Sequence, residues 1–215
     1  MIRSVLTAIC CIFATGPLVG QAEDTKASPN IEAAKTASTK PDAKTPLGRF
    51  ALAKALLRHS QTSGDLAFAL AALRLAASAL PQADLVEFQA TARDLAHGDA
   101  AAGAQIARIL AETPRGLVVA LSAPITGRVS ARSSFLVDDA LLTFEGQARA
   151  EIMLSGDGGA DLDLIVRDDA GNEICRSERP FDHEYCDWIP SRTGLFRVEI
   201  VNHDASDSAF ELWAN

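Results

Sequence analysis

Two kinds of hydrophobic periodicity follow one another along the chain. Between Phe50 and Thr113, apolar residues recur at helical spacing, as at Leu66, Leu70 and Leu73. From Leu117 to the end, short runs alternate between apolar and polar residues instead. The pattern predicts a set of α-helices followed by a set of β-strands.

Four helices of three to four turns, joined by short turns, are predicted in the first of these regions, which makes neighbouring helices antiparallel. Asp65 and Asp99 stand at helix starts, and Pro81 and Pro114 stand beyond helix ends. Asp84 with Glu87 is an acidic variant of the capping box, and His97-Gly98 closes its helix. The helical domain is assigned to residues 47–113.

A weak internal repeat spans these helices. Gly64-Asp65 with Arg74 recurs 34 residues later as Gly98-Asp99 with Arg108. This part of the chain, over about residues 50–113, resembles a tetratricopeptide-type pair of helices, whose repeat has the same period. A generic four-helix unit is the alternative, because the bulky aromatic positions of that repeat are missing.

The alternating runs of the second region are separated by turn signals, which is typical of an antiparallel sandwich. Leu117–Leu121 is predicted to be the first strand, and the run ADLDLIVRD places Leu162, Leu164 and Val166 on one face. The glycine-rich turn Gly156–Gly159 leads into that run. We assign residues 117–215 to this β-domain.

Residues 135–213 resemble the bacterial pre-peptidase C-terminal domain. The motifs that carry the resemblance are Phe144-Glu145-Gly146, Asp161-Leu162-Asp163-Leu164, Gly194–Val198 and Phe210-Glu211-Leu212. It implies a jelly-roll-like β-sandwich with a non-catalytic role in binding, secretion or stabilisation, and calcium binding in some members. The expected fold class is therefore α+β with two domains, a small antiparallel α-helical unit followed by an antiparallel jelly-roll-like β-sandwich.

The N-terminus has the three parts of a secretory signal peptide. Arg3 precedes an apolar stretch from Ser4 to Leu18, and small residues then lead to a cleavage site between Ala22 and Glu23. The stretch is shorter than the roughly 20 residues of a membrane span, so no stable span is expected after cleavage of residues 1–22. Residues 23–46 are polar and predict a disordered linker. These features predict that the protein is exported to the periplasm or secreted.

Two cysteines, Cys175 and Cys186, remain once the signal is removed. An even pair in an exported chain predicts a disulfide, expected here between adjacent strands. A thiolate metal site is the alternative, with His183 as a nearby partner.

Two clusters of carboxylates are candidate sites. Asp157, Asp161 and Asp163 follow the glycine-rich turn and offer hard oxygen ligands to calcium, or else cap loop amides. A second group lies on the loop that the disulfide would close and is a candidate binding loop for a metal or a cationic partner, or else solvated loop charge: Asp182, His183, Glu184 and Asp187.

Charge and motifs narrow the function. From Pro114 onward the chain has nine Arg, no Lys and eighteen Asp plus Glu, which argues against nucleic acid and permits cationic partners. The sequence contains neither the G-x-S-x-G nucleophile elbow of hydrolases nor a glycine-rich phosphate-binding loop. The sequence predicts an exported, non-catalytic adaptor of the cell envelope, with a protein or envelope glycan as partner and no cofactor besides possible calcium. The alternatives are a secreted hydrolase or carbohydrate-active enzyme that uses loop carboxylates, and a purely structural envelope protein.

Overall fold

A computed structural model describes residues 37–112, 124–137, 142–180 and 182–215. Within these residues it contains helices α1 (Pro46–Ser63), α2 (Leu66–Ala77), α3 (Val86–Ala96) and α4 (Ala100–Glu112). The strands are β1 (Ile125–Val129), β2 (Ser134–Leu136), β3 (Thr143–Phe144), β4 (Ala150–Gly156), β5 (Leu162–Arg167), β6 (Glu173–Ser177), β7 (His183–Trp188), β8 (Gly194–Leu195), β9 (Arg197–Asn202) and β10 (Ser208–Ala214). The expected α+β, two-part architecture is confirmed.

Local capping sets the bounds of the helices. Thr45 accepts a hydrogen bond from Gly48 N and precedes Pro46, whose fixed φ suits the first helical position. Asp65 caps α2 in the same way through Ala67 N. The capping box expected at Asp84 is not formed, because that residue lies in a 3₁₀ turn (Gln82–Leu85) that precedes α3.

The strands form two antiparallel four-stranded sheets and one small pair. Sheet A has the order β1-β10-β4-β7, and sheet B has the order β2-β9-β5-β6, while β3 pairs with β8. Apolar side chains from the two sheets meet in a common core, where Trp188 contacts Phe144 and Phe196 at ring distances of 4.9 and 5.3 Å. The alternation of apolar and polar residues along each strand produces this arrangement.

The helices cover part of the outer face of sheet A. Met153 of β4 and Tyr185 of β7 belong to the same buried cluster as the helical residues. Phe50 of α1 also meets Trp213 of β10 edge-to-face, with ring centroids 5.1 Å apart. The molecule is therefore built of helices, sheet A and sheet B in three layers, and the helices share a core with the sandwich.

The predicted disulfide between Cys175 and Cys186 is confirmed, with Cα atoms 6.1 Å apart. Its expected position between adjacent strands is wrong. Cys175 lies on β6 at the edge of sheet B, and Cys186 lies on β7 at the edge of sheet A. The ten residues between the cysteines cross from one sheet to the other instead of forming a hairpin, so the bond joins the two sheets.

Part of the predicted linker lies against the sandwich. Ser38 exchanges two main-chain hydrogen bonds of 2.8 Å with Asp187 and extends the β7 edge of sheet A. The Arg179 side chain donates to the main-chain oxygen of Thr39. Residues 37–45 are thus ordered by contacts that composition did not indicate. The signal peptide, with Ala22 and Glu23, and the predicted strand Leu117–Leu121 lie outside the described residues.

Candidate binding cleft

The outer face of sheet A is organised in rows that run across its strands. In the first row Glu151 lies opposite Asp187, and in the second Met153 lies between Trp213 and Tyr185. The helices cover the second row, and the start of α1 together with the segment around Ser38 covers the first. A third row contains four polar residues, one from each strand: Thr126, Glu211, Ser155 and His183. This row is open at its β1–β10 end, where Thr126 is exposed and Glu211 is half-buried, whereas Ser155 and His183 are largely buried.

Glu151 closes the first row against α1. Its side chain accepts hydrogen bonds from the Thr45 hydroxyl, at 2.6 Å, and from the Tyr185 hydroxyl. Burial, and then the hydrogen bond to Glu151, raise the pKa of Tyr185 above its ordinary value. Since Glu151 is 2% exposed, this polar group anchors the start of α1 to the sheet and is not open to a ligand.

The third row forms the floor of a cleft between sheet A and the helices. Lys54 of α1 and Glu87 of α3 form an ion pair of 2.9 Å at its wall. The cleft has two adjoining lobes of about 390 and 220 Å³. Five residues line both lobes: Lys54, Glu87, Ser155, Gly156 and Asp157.

The glycine-rich turn closes one end of the cleft around an ion pair. Arg58 of α1 donates to both carboxylate oxygens of Asp182, at 2.8 and 2.9 Å. Gly158 has a φ of +86°, and a Cβ there would lie 2.3 Å from Arg58 Nη1. A Cβ at Gly156 would lie 2.7 Å from Asp182 Cβ. These glycines are therefore required for the close approach of the turn to the pair.

His183 separates the cleft from a neighbouring pocket. Burial lowers the pKa of its imidazole, although the charge of Asp182 opposes this effect. Its Nδ1 lies 3.8 Å from Asp182 Oδ1 and has no hydrogen-bond partner among the described residues. Ser155 is its direct cross-strand neighbour, but no hydrogen bond joins their side chains. The connection that a serine nucleophile needs with its base is therefore not formed here.

The three aspartates proposed for calcium do not converge. Asp157 turns towards β10, where it accepts from Ser208 Oγ at 2.9 Å and Ala209 N at 3.0 Å. Asp163 contacts His203 Nε2 at 2.6 Å. The pKa of Asp161 is raised, first by burial and then by the charge of Asp163. In the part of the chain that the structure describes, no group of three or more His, Cys, Asp or Glu side chains is placed to hold a metal ion.

The residues proposed as a binding loop lie mostly inside the fold. Asp182, Glu184 and Asp187 are 3%, 1% and 6% exposed. Asp182 pairs with Arg58, and Asp187 pairs with Arg149 at 2.6 Å. Asp182 directly precedes β7, and the other three residues lie on it. Asp182 connects the sandwich to α1, and Asp187 connects it to the N-terminal segment. The four residues do not form an exposed charged loop.

Sequence reasoning missed the floor of the cleft. Polar residues at alternate positions in ITGRV, AEIMLSG and SAFELWA indicated an outward face. The alignment of Thr126, Glu211, Ser155 and His183 in one row depends on strand order and register. A single sequence does not give either of these.

No protein-family model matches the chain, and no curated protein matches it in sequence. Solved structures similar to it include the pre-peptidase C-terminal domain of collagenase from Bacillus anthracis, at 11% identity and a TM-score of 0.33, over 43% of this chain and 90% of that chain. The Yersinia pseudotuberculosis-derived mitogen matches at 18% identity and a TM-score of 0.32, over 43% of this chain and 83% of that chain. PliG of Aeromonas hydrophila, a periplasmic inhibitor of g-type lysozyme, matches at 14% identity and a TM-score of 0.33, over 47% of this chain and 91% of that chain.

At these identities and scores, none of the three likenesses assigns a function to the chain. The first belongs to the family that residues 135–213 resemble, but membership of that family stays a prediction. The tetratricopeptide-like repeat stays a prediction as well. Among the described residues, no helix has both the length and the hydrophobicity that a membrane span requires.

Proposed function

We propose that this protein is an exported, non-catalytic binding protein of the cell envelope, and that its cleft takes a basic polypeptide segment of a protein partner. The observation that carries the proposal is the open β1–β10 end of the third polar row on sheet A, at Thr126 and Glu211, beside two rows that are covered. A sheet face that is polar and uncovered at one end, next to a rigid helix wall, is suited to contact with a polar partner.

The charges of the cleft favour a cationic group. Lys54 is paired with Glu87, and Arg58 is paired with Asp182. The side chain of Glu211 on the floor has no hydrogen bond or ion pair with any described residue. The whole chain has a formal net charge of −8, so its long-range field also attracts cations. A lysine or arginine side chain of a partner would pair with Glu211.

The engagement of the acidic side chains supports a non-catalytic role. A hydrolase of the carboxylate type needs two carboxyl groups that face one substrate. Asp157, Asp163 and Asp182 instead accept hydrogen bonds or ion pairs from neighbouring parts of the fold. Ser155 and His183 make no mutual hydrogen bond. The alternative of a secreted hydrolase has no comparable support.

Binding of synthetic peptides tests the proposal. Immobilised lysine-rich peptides, and the same peptides with glutamine in place of lysine, would be titrated with the wild-type protein, Glu211→Gln and Glu145→Gln. Glu145 is the matched control, because it is exposed, lacks a partner among the described residues and lies at the opposite end of β4. Glu211→Gln should weaken binding of the lysine peptides about threefold or more, and Glu145→Gln should leave it unchanged.

Two outcomes would overturn the proposal. Equal effects of the two substitutions would show that binding follows net charge and not the cleft. Cleavage of the peptides or of peptidoglycan fragments by purified wild-type protein, detected by mass spectrometry, would show that the protein is an enzyme.

A further inference from the structure

A second pocket lies on the other side of Arg58 and differs in character from the cleft. It has a volume of about 330 Å³ and is bounded by α1 and by residues next to β7. The lining residues are Ala55, Arg58, His59, Thr62, Arg179 and His183. None of these described lining residues is acidic, although the protein as a whole is acidic.

The electrostatics of this pocket are governed by Arg179. Arg58 is already neutralised by Asp182. Arg179 donates to the main-chain oxygen of Thr39 and has no ion pair with a described carboxylate. The buried carboxylate of Glu184 interacts electrostatically with Arg179, and it accepts hydrogen bonds from Ser177 Oγ and from Arg179 N. A guanidinium has five N–H donors, so Arg179 keeps donors for a ligand.

Two histidines line the same pocket. His183 Nδ1 is buried and has no hydrogen-bond partner in the described structure. His59 is exposed at the pocket mouth and packs edge-to-face on Phe68, at a ring distance of 4.3 Å. Because His183 Nδ1 has no accessible surface, His183 lines the pocket without offering this nitrogen to a ligand.

A small apolar recess of about 60 Å³ adjoins this pocket through Ala55, Arg179 and His183. Leu52, Met153 and Tyr185 contribute to its lining, and so does Glu184, whose carboxylate is occupied by Ser177 Oγ and Arg179 N. We propose that the pocket binds a carboxylate ligand, with the carboxylate at Arg179 and a short apolar group in this recess. The C-terminal residue of a peptide and a free amino-acid derivative share this chemistry. The proposal concerns a different site from the cleft and does not depend on it.

The test uses N-acetyl-leucine as the probe and N-acetyl-leucinamide as its uncharged match. The full-length protein should bind the carboxylate at least about tenfold more tightly than the amide, because a charge-assisted hydrogen bond to a guanidinium is lost in the amide. Inorganic phosphate, which has charge but no apolar group, should bind more weakly than N-acetyl-leucine. A peptide that ends in leucine, compared with its C-terminal amide, distinguishes a peptide terminus from a free derivative.

Variants locate the site. Arg179→Gln should abolish the preference for the carboxylate, while Arg192→Gln, at an exposed arginine elsewhere on the sandwich, should retain it. Since Arg179 also contacts Thr39, His59→Glu provides a second variant, which places a negative charge at the mouth and should weaken binding. In NMR titrations the ring signals of His59 and His183 should move, and those of His97 and His203 should not.

Two results would overturn this proposal. One is equal affinity for the acid and the amide in the wild-type protein. The other is an unchanged preference for the acid in both Arg179→Gln and His59→Glu. Neither result bears on the lysine-peptide test of the cleft, because that test depends on Glu211.

Discussion

Arg58 on α1 donates to both carboxylate oxygens of Asp182, at 2.9 and 2.8 Å, and thereby fixes the helices to the sandwich. Asp182 is 3% exposed and the Arg58 side chain 28%. Arg58, together with His183, also lies between the polar cleft and the pocket around Arg179. The geometry of the Arg58–Asp182 pair therefore bears on stability and on both proposed sites.

Asp182→Asn should lower the free energy of unfolding by about 2 kcal/mol, because Arg58 loses a charged acceptor in a largely buried setting. The comparison is Asp169→Asn, which breaks the exposed pair with Arg192 at 2.6 Å and should cost less than about 0.5 kcal/mol. Urea unfolding of the three proteins measures both values. Equal costs at the two positions would contradict a structural role for the Arg58 pair.

The disulfide should stabilise the sandwich as a link between sheets. Closing a loop with a sequence separation of 11 should contribute about 2–3 kcal/mol. Changing Cys175 and Cys186 together to Ser should lower the melting temperature by roughly 5–10 °C. Because Met153 and Tyr185 join the helical core to sheet A, helices and sandwich should still melt in one transition. Two free thiols in the exported wild-type protein, found by mass spectrometry, would make the disulfide assignment wrong.

Glu184 should make stability depend on pH. Burial raises its pKa from 4.5 to about 7, although hydrogen bonds from Ser177 and Arg179 act in the opposite direction. A carboxyl group whose pKa is raised by folding binds protons more tightly in the folded protein. The stabilisation of the fold that comes from protonated Glu184 is therefore complete below pH 4.5 and is lost as the pH rises through about 7. In Glu184→Gln this loss disappears.

Urea unfolding of the wild type and Glu184→Gln between pH 4.5 and 8 gives the comparison. The stability of the variant relative to the wild type should increase across this interval. A constant difference would show that folding does not shift the pKa of Glu184.

Calcium should have no effect on stability. Asp157, Asp161 and Asp163 were the sequence candidates, but Asp157 turns towards β10, away from the other two. The midpoint of thermal unfolding should be equal in chelator and in millimolar calcium. A site would raise stability by about 2.7 kcal/mol at a hundred times its dissociation constant, and such a rise would contradict this expectation.

The sequence was sufficient for the elements but not for their arrangement. Leu70 and Leu73 were expected at helical spacing on one apolar face, and both are buried. Local periodicity specifies such faces directly. The cross-sheet position of the Cys175–Cys186 bond, in contrast, depends on which strands pair, and a separation of eleven residues is compatible with a hairpin or with a crossing between sheets.

The candidate site was harder to predict for the same reason. Asp182 and Glu184 looked like exposed charges because they stand beside Pro180 in a polar run. Their burial is compensated by Arg58, 124 positions earlier, and by Ser177. Long-range partners of this kind leave no local pattern. The same holds for Glu211, which stands in one row with Ser155 only through the pairing of β10 with β4.

The central claim is that the open end of the third row on sheet A binds a basic segment, and mapping a lysine-rich peptide by NMR tests it most directly. Amide signals of Thr126, Ser155 and Glu211 should shift together as the peptide is added, while those of Thr143 and Leu195 on the β3–β8 pair should stay in place. In Glu211→Gln the same shifts should require a peptide concentration at least about three times higher. Shifts spread over the acidic surface without a maximum at this row, or shifts unaffected by Glu211→Gln, would contradict the account.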